Sequence, residues 1–227
     1  MFIFTLRYWL LDLRPHLSTL QIYTTSNSEE QGKTAFPFKI KPDCSVFAKE
    51  HLFKGTDSSA VELFIKFKQS GADDPFFNFP QSQASSSDKT NPFMKDTVES
   101  RTTCGQITAY ATSHMSAQYW THVFFILICE DYARLIRWDR SGAIVTEPIY
   151  YNVDPHLFHF FILFDHSQPN VRGQDTIVRS ANSEDTKDAV KAVKELEELY
   201  KSGTQLLVVS VPNPATGEKK PLQYHSR

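Results

Sequence analysis

Two hydrophobic periods run along this chain, and each predicts its own kind of element. In "AVELFIKFK", residues 60–68, apolar residues recur with a period of two. A strand with that period carries Glu62, Phe64, Lys66 and Lys68 on one face, and Leu63, Ile65 and Phe67 on the other. Over residues 98–118 the period lengthens to that of a helix, with Ile107, Tyr110, Ala111, His114 and Met115 on one stripe. Gly105 interrupts the polar side of that helix. Three β-rich runs follow, "HVFFILIC", "ARLIRW" and "AIVTEPI", parted by Glu130-Asp131 and by "DRSG". Short strands separated by turn residues predict a β-meander.

The remaining segments are read in the same way. Residues 1–23 are apolar with helix-like spacing, and 24–34 are polar and loose. "FPFKIKPDCSVFAKE" reads as β-rich around Pro42-Asp43, and 69–93 as a long loop. "DPHLFHFFILFDHS", 154–167, predicts a buried helix capped by Asp154 with Pro155 at its first position. Residues 183–203 predict an amphipathic helix, with Ser183 as N-cap and a stripe of Ala189, Val193, Leu196 and Tyr200. Lys201 complements its C-terminal dipole and Gly203 ends it. A strand over 204–211, the turn "PNPATGEKK" and a second strand from "PLQYHSR" complete the chain. The fold expected is α+β: a mixed or antiparallel sheet containing the meander, flanked by helices. Three parts are expected: 1–34, a domain over 35–175, and a separate segment over 176–227.

Composition narrows the function classes. The 227 residues carry 24 basic and 26 acidic side chains, so no global charge points to nucleic acid. Cys44, Cys104 and Cys129 stand far apart, which argues against a disulfide framework or a zinc knuckle and fits a reducing compartment. "MFIFTLRYWLLDL" is broken by Arg7 and Asp12, lacks a cleavage signature and is too short to span a membrane. The expectation is an intracellular chain, cytoplasmic or nuclear, without a membrane partner.

Several motifs carry candidate chemistry. Asp139 in "WDRSG" has the look of a kinase base, but such a loop needs an Asn five residues on, and that position is Ile144. D-F-G is absent, and the eight glycines never approach within 13 residues of one another, so no glycine-rich loop cradles a phosphate. Asp139 therefore reads as a turn residue of a hairpin. There is no G-x-S-x-G. His156, His159 and His166 lack Cys or carboxylate ligands at metal spacing and read as ordinary helix residues.

A sharper pattern runs Pro42-Asp43, then Lys66-x-Lys68 on a strand, then Gln106-x-x-x-Tyr110 on a helix. It resembles the PD-(D/E)XK nuclease superfamily, which the restriction endonucleases typify. That chemistry needs two carboxylates around a hard divalent cation beside the scissile phosphate. The second carboxylate position is Lys66 here, and Glu62 lies four residues away, roughly 13 Å along a strand. The resemblance implies a nuclease-like fold with its metal site lost. Nucleic acid, if bound, would meet Lys66, Lys68, Arg134, Arg137 and Arg140.

A longer resemblance covers residues 100–180. Arg134, Arg137, Trp138, Asp139, Arg140, Ser141 and Gly142 match an "aRLlRwDRsG" block, and Arg172-Gly173 with Asp175-Thr176 match a later "RG-D-t" element. Upstream, "ELFIKFK…DDPF" fits an "E-x-K…DPF" strand and loop, with Lys66 departing from the usual acidic residue. The order resembles the region ahead of the catalytic lobes in the fungal-type protein kinase family. That family's activity is ATP-dependent phosphorylation of protein Ser/Thr, carried by motifs further downstream. The resemblance implies a catalytically inactive accessory part, ending before the lobes, with 176–227 as their lead-in and with the lobes as partner. ATP and Mg would belong only to those lobes, so no cofactor or metal is expected in this chain; a further protein or nucleic-acid partner stays open.

Overall fold

A computed structural model describes residues 13–26, 40–51, 55, 57–78, 93–192, 206–212, 216 and 219–225. The chain divides into two compact units, Met1–Gln174 and Asp175–Arg227. The fold is α+β.

The first unit is built on a six-stranded mixed sheet. Its strands lie side by side in chain order: β1 (Leu20–Thr24), β2 (Cys44–Ala48), β3 (Val61–Lys68), β4 (His122–Cys129), β5 (Tyr132–Asp139) and β6 (Gly142–Val145). All neighbours pair antiparallel except β3 and β4, which run parallel, with Phe64 opposite Phe125 and Lys68 opposite Cys129. A parallel pair needs a crossover, and helix α1 (Val98–Ala117) supplies it. The expected meander is β4–β5–β6. Each of its turns has two residues: Glu130-Asp131 between Cys129 and Tyr132, and Arg140-Ser141 between Asp139 and Gly142. Glu130 takes the left-handed conformation, φ 49°, that so tight a turn demands.

Helices cover both faces of the sheet. On one face Leu63, Ile65, Ile126 and Ile128 pack against Leu157, Phe161 and Phe164 of helix α2 (His156–His166). On the other, Phe64, Phe125 and Leu127 pack against Ile107 and Tyr110 of α1. Strand β4 is therefore buried on both sides, which explains its nearly unbroken apolar run. The stripe expected on α1 faces the core: Ile107, Tyr110, Ala111 and His114 are sealed and Met115 is half-buried, while Gly105 faces outward. Thr97 opens α1 with a reciprocal capping box to Ser100.

Several expectations change. Residues 20–24 are not helical but form the edge strand β1, preceded by a short 3-10 turn at Arg14–His16. Val61, not Glu62, shares the face of Phe64, because the register steps between Val46 and Phe47: Val46 opposes Leu63 while Phe47 opposes Val61. The extra residue in this bulge is Glu62, turned away from Phe64. Residue 155, not 154, is the N-cap of α2; Asp154 instead accepts the His156 N–H at 2.8 Å. The presumed loop after Gln69 holds a 3-10 turn, Gly71–Asp73, and a bridge from Phe76 to Met94. The loose stretch beyond Ser26, and residues 79–92, lie outside the described residues.

The second unit holds a three-stranded antiparallel sheet ordered β7 (Val178–Ser180), β8 (Leu206–Pro212) and β9 (Lys219–His225), with helix α3 (Ser183–Ala192) between β7 and β8. Its cap is Asn182, not Ser183: the Asn182 Oδ1 accepts the Glu184 and Asp185 N–H groups at 2.9 Å each. Arg179 Nη2 donates to Asp185 Oδ1 at 3.0 Å, tying β7 to the first turn of α3. Ala189 is buried as its stripe requires. Val193, Leu196, Tyr200, Lys201 and Gly203 lie outside the described residues.

Candidate functional site

Four of the five residues in the short pattern meet at one place. Asp43 stands at the foot of β2, where Thr25 holds the backbone by donating its N–H to the Asp43 carbonyl and its hydroxyl to the Pro42 carbonyl. The Asp43 Oδ2 accepts the Phe67 N–H at 2.8 Å and faces Lys66 Nζ at 3.1 Å. From α1, Tyr110 donates its hydroxyl to the Lys41 carbonyl at 2.7 Å. Burial pushes that phenol up to about 12, so it remains a donor throughout the neutral range. Lys41, Lys66, Gln106 and Tyr110 line one cleft of about 550 Å³, whose wall also includes Ile40, Thr102, Gly105 and Ala109. The Gln106 Oε1 is buried without a hydrogen-bond partner. Lys68, two residues further along β3, is half-exposed and is not among the described residues lining the cleft.

This arrangement has the order of parts that a metal site would need, but a cation stands at the second carboxylate position. The Lys66 ammonium neutralises Asp43, so a divalent ion there would meet a like charge. Glu62 cannot substitute for it. The bulge turns Glu62 toward Gln174 Nε2, 3.2 Å away, and Arg172 Nε, 3.6 Å away. Among the described residues no group of three or more His, Cys, Asp or Glu is placed to hold a metal ion, and that includes His156, His159 and His166.

The longer signature has a different fate, for its residues build frame. Arg134 is 2% exposed and cannot reach nucleic acid, contrary to the expectation for it. It donates from Nε to Asp74 Oδ2 at 2.7 Å, from Nη1 to the Thr146 carbonyl at 2.8 Å, and from Nη2 to Asn78. Asp74 is fully buried and also accepts the Tyr132 hydroxyl at 2.9 Å and the Phe76 N–H at 3.0 Å. Burial beside that carboxylate drives the Tyr132 phenol far above its ordinary range. The motif "DPF" is thus the partner of the motif "RLIRW", and sequence reading had no way to couple them.

"WDRSG" is a hairpin turn. Asp139 Oδ1 accepts the Ser141 N–H at 2.8 Å, and Arg137 Nη1 donates to Asp139 Oδ2 at 2.8 Å. The Ser141 N–H and the Arg137 guanidinium hold the Asp139 carboxyl below its usual value. Gly142 closes the turn with φ 148°, and Arg140 is left exposed at the tip. Trp138 packs between the α1-side core and a small cluster around Trp120 and Val123.

The later element is also structural. Arg172 lies over the Phe164 ring, with its guanidinium carbon 6.0 Å from the ring centroid, and faces the buried Glu62. Burial raises the Glu62 carboxyl while Arg172 pulls it down. Gly173 has φ 124°, and an added Cβ would lie 1.9 Å from the His122 carbonyl oxygen. Only glycine fits there. Asp175, in the second unit, accepts the Ile177 N–H at 3.0 Å.

Two buried polar groups stand apart from the motifs: His114, which the α1 stripe included, and Asp165, which sequence reading missed. His114, packed between Phe64 and Trp120, has its pKa held down to about 3 by burial, so it is neutral. Asp165, the one carboxylate of α2, accepts from Ser18, Thr19 and Leu20. A lone carboxylate in such a helix was the available signal.

No family model, no curated protein and no solved structure matches this chain. Among the described residues no helix is long and apolar enough to cross a membrane.

Proposed function

We propose that this chain is a non-catalytic accessory module of the fungal-type protein kinase kind, built on a nuclease-like sheet whose metal position is filled by a lysine. One observation carries the catalytic silence: Lys66 Nζ stands 3.1 Å from Asp43 Oδ2, where a second carboxylate would be required. The framework roles of Arg134, Asp139, Arg172 and Gly173 support the longer resemblance, because they give its signature a purpose independent of catalysis. Its partner is then the pair of catalytic lobes of such a kinase, which alone would hold ATP and Mg.

Titration calorimetry with Mn²⁺ tests the silent site. The native protein is expected to give no binding heat and to leave plasmid and single-stranded substrates intact, while Lys66→Glu gains a Mn²⁺ site. Mn²⁺ binding or strand cleavage by the native protein overturns the reading. ATP with Mg²⁺ is expected to leave Tm unchanged, since a bound nucleotide would raise it. Co-elution with fungal-type kinase lobes is the matching test of the partner.

A second reading has one observation in its favour: Lys41 and Lys66 share the cleft. In it the module binds nucleic acid without cutting it, through Lys66, Lys68, Arg137 and Arg140. Its signature is an affinity for single-stranded oligonucleotides that falls steeply with salt.

A further inference from the structure

The first unit ends in a single helical turn, Pro169–Arg172, followed by Gly173 and Gln174. Two sets of contacts fasten this turn to the sheet. Those at the start of β4 involve no carboxylate. The Thr121 N–H and hydroxyl both donate to the Gly173 carbonyl, at 2.8 and 3.1 Å, and His122 Nε2 stands 3.1 Å from the Val171 carbonyl. A ring nitrogen facing a carbonyl carries a proton, and it can do so in the neutral and in the charged imidazole alike. His122 therefore holds the turn in either state.

The tie to β3 is a buried ion pair with poor geometry. The Glu62 and Arg172 side chains are 8% and 11% exposed, and Arg172 Nε lies 3.6 Å from Glu62 Oε2, beyond hydrogen-bond length. Glu62 Oε1 accepts from Gln174 Nε2 at 3.2 Å. Glu62 Oε2, Arg172 Nε and Arg172 Nη1 are buried without a hydrogen-bond partner among the described residues. Three such atoms at one contact are unusual, because buried polar groups are as a rule bonded. Mutual attraction offsets the lost hydration of two buried charges only where their geometry is good and their remaining atoms are bonded. This pair meets neither condition.

The groups around Glu62 act in opposite directions. Arg172 and Gln174, from the turn, favour the ionised carboxylate, and the like charge of Glu50, just past β2, opposes it. Burial is the strongest influence and raises the carboxyl above its ordinary value against the pull of Arg172. The bulge between β2 and β3 keeps the side chain in this position.

We propose that residues 169–174 form a pH-sensitive latch on β3, closed firmly while Glu62 is protonated and loosened when Glu62 ionises. An ordinary salt bridge would behave in the opposite sense. Protonation removes one of two buried charges and leaves Gln174 bonded to Glu62 and Arg172 over the Phe164 ring. Ionisation leaves two under-bonded charges, and opening returns both to water. The closed state raises the Glu62 carboxyl, so its contribution is fully present below the ordinary carboxylate range. That contribution is lost as pH rises through the closed-state value.

Amide hydrogen exchange of the full chain between about pH 5 and about pH 8, with the intrinsic pH dependence divided out, tests the latch. The Thr121 N–H, bonded to the Gly173 carbonyl, and the Gln174 N–H, bonded to the Pro169 carbonyl at 2.9 Å, report on the turn. The Ala133 N–H, bonded to the Ile149 carbonyl at the opposite end of the β4–β5 pair from His122, reports on the frame. Protection of Thr121 and Gln174 is expected to fall severalfold as pH rises, while that of Ala133 stays level. Glu62→Gln carries no charge at any pH and is expected to keep both turn amides at their acid level throughout. Arg172→Met removes the charge that favours ionised Glu62 and is expected to move the midpoint of the fall to higher pH. Protection that is constant or rises with pH in the native protein overturns the proposal, and that result requires no variant to fold. An equal fall at Ala133 overturns it as well, because the whole unit then opens. So does a fall in Glu62→Gln as large as the native one, or a midpoint that Arg172→Met leaves in place.

Discussion

Two aspartate–cation pairs sit on the same sheet and serve opposite ends. Asp74 and Arg134 are sealed at 1% and 2% side-chain exposure, 2.7 Å apart, with Tyr132, Asn78 and backbone carbonyls completing their hydrogen bonds. Asp43 and Lys66 lie 3.1 Å apart at 24% and 16% exposure, and Lys66 lines an open cleft. The first pair closes a region and the second leaves donors facing a cavity. The difference teaches that a legible charged motif and a usable charged site need not coincide. The longer signature supplied the sealed pair, and the short pattern supplied the open one.

The hardest test of the contrast is to break the sealed pair. Arg134→Met leaves Asp74 charged and buried without its cation, which is expected to cost about 3–5 kcal/mol in urea unfolding. A loss below about 1 kcal/mol would mean that Asp74 reaches water, and the distinction between the pairs would collapse. Gly173→Ala comes next. With φ at 124° and a Cβ 1.9 Å from a backbone oxygen, the strand end at His122 must shift. The expected cost is about 2–3 kcal/mol by the same measurement. It should exceed the effect of any alanine at Gly142, where an added Cβ meets nothing.

A third carboxylate sharpens the comparison because its ties are to N–H and O–H groups rather than to a buried cation. Asp165 is 2% exposed and accepts from the backbone of Ser18, Thr19 and Leu20 and from the Ser18 and Thr19 hydroxyls. Burial alone would raise its pKa, but these donors win and hold it down to about 2. The folded value lies below the roughly 3.9 of an unstructured aspartate, so the folded state favours the ionised form. The resulting stability, about 2.5 kcal/mol, is fully present above about pH 5 and is lost as pH falls toward 2. Asp165→Asn is expected to lose about that much at pH 7 and to flatten the acid limb of stability against pH. An acid limb as steep in the variant as in the native protein would assign the effect elsewhere.

What the sequence disclosed follows the range of the forces involved. The α1 stripe and both meander turns were legible because helix periodicity and two-residue loops are written within a few neighbouring residues. The Asp43–Lys66–Gln106–Tyr110 grouping was legible as an order of motifs. Arg134 was misjudged as a surface cation because its carboxylate lies 60 residues upstream. Asp165 was overlooked because its donors lie 145 to 147 residues away. Glu62 was assigned to the wrong face because a bulge inserts one residue into an otherwise strict alternation. Residues 20–24 were read as helical because their apolar spacing fits either period, and pairing with β2 decides between them.

The smallest expected effect is the most discriminating. Lys66→Met removes the cation of the open pair but keeps the length and apolar stem of the side chain. Asp43 would retain the Phe67 N–H and could draw water through the cleft, so its charge is not stranded as that of Asp74 would be. A partly exposed pair of this kind contributes at most about 1 kcal/mol. The variant is therefore expected to unfold within about 1 kcal/mol of the native protein at pH 7. A loss as large as that of Arg134→Met would make Lys66 a second framework residue, and the cleft would cease to be a site in waiting. A small loss, joined to a changed response toward anions, would assign Lys66 to the cleft rather than to the frame.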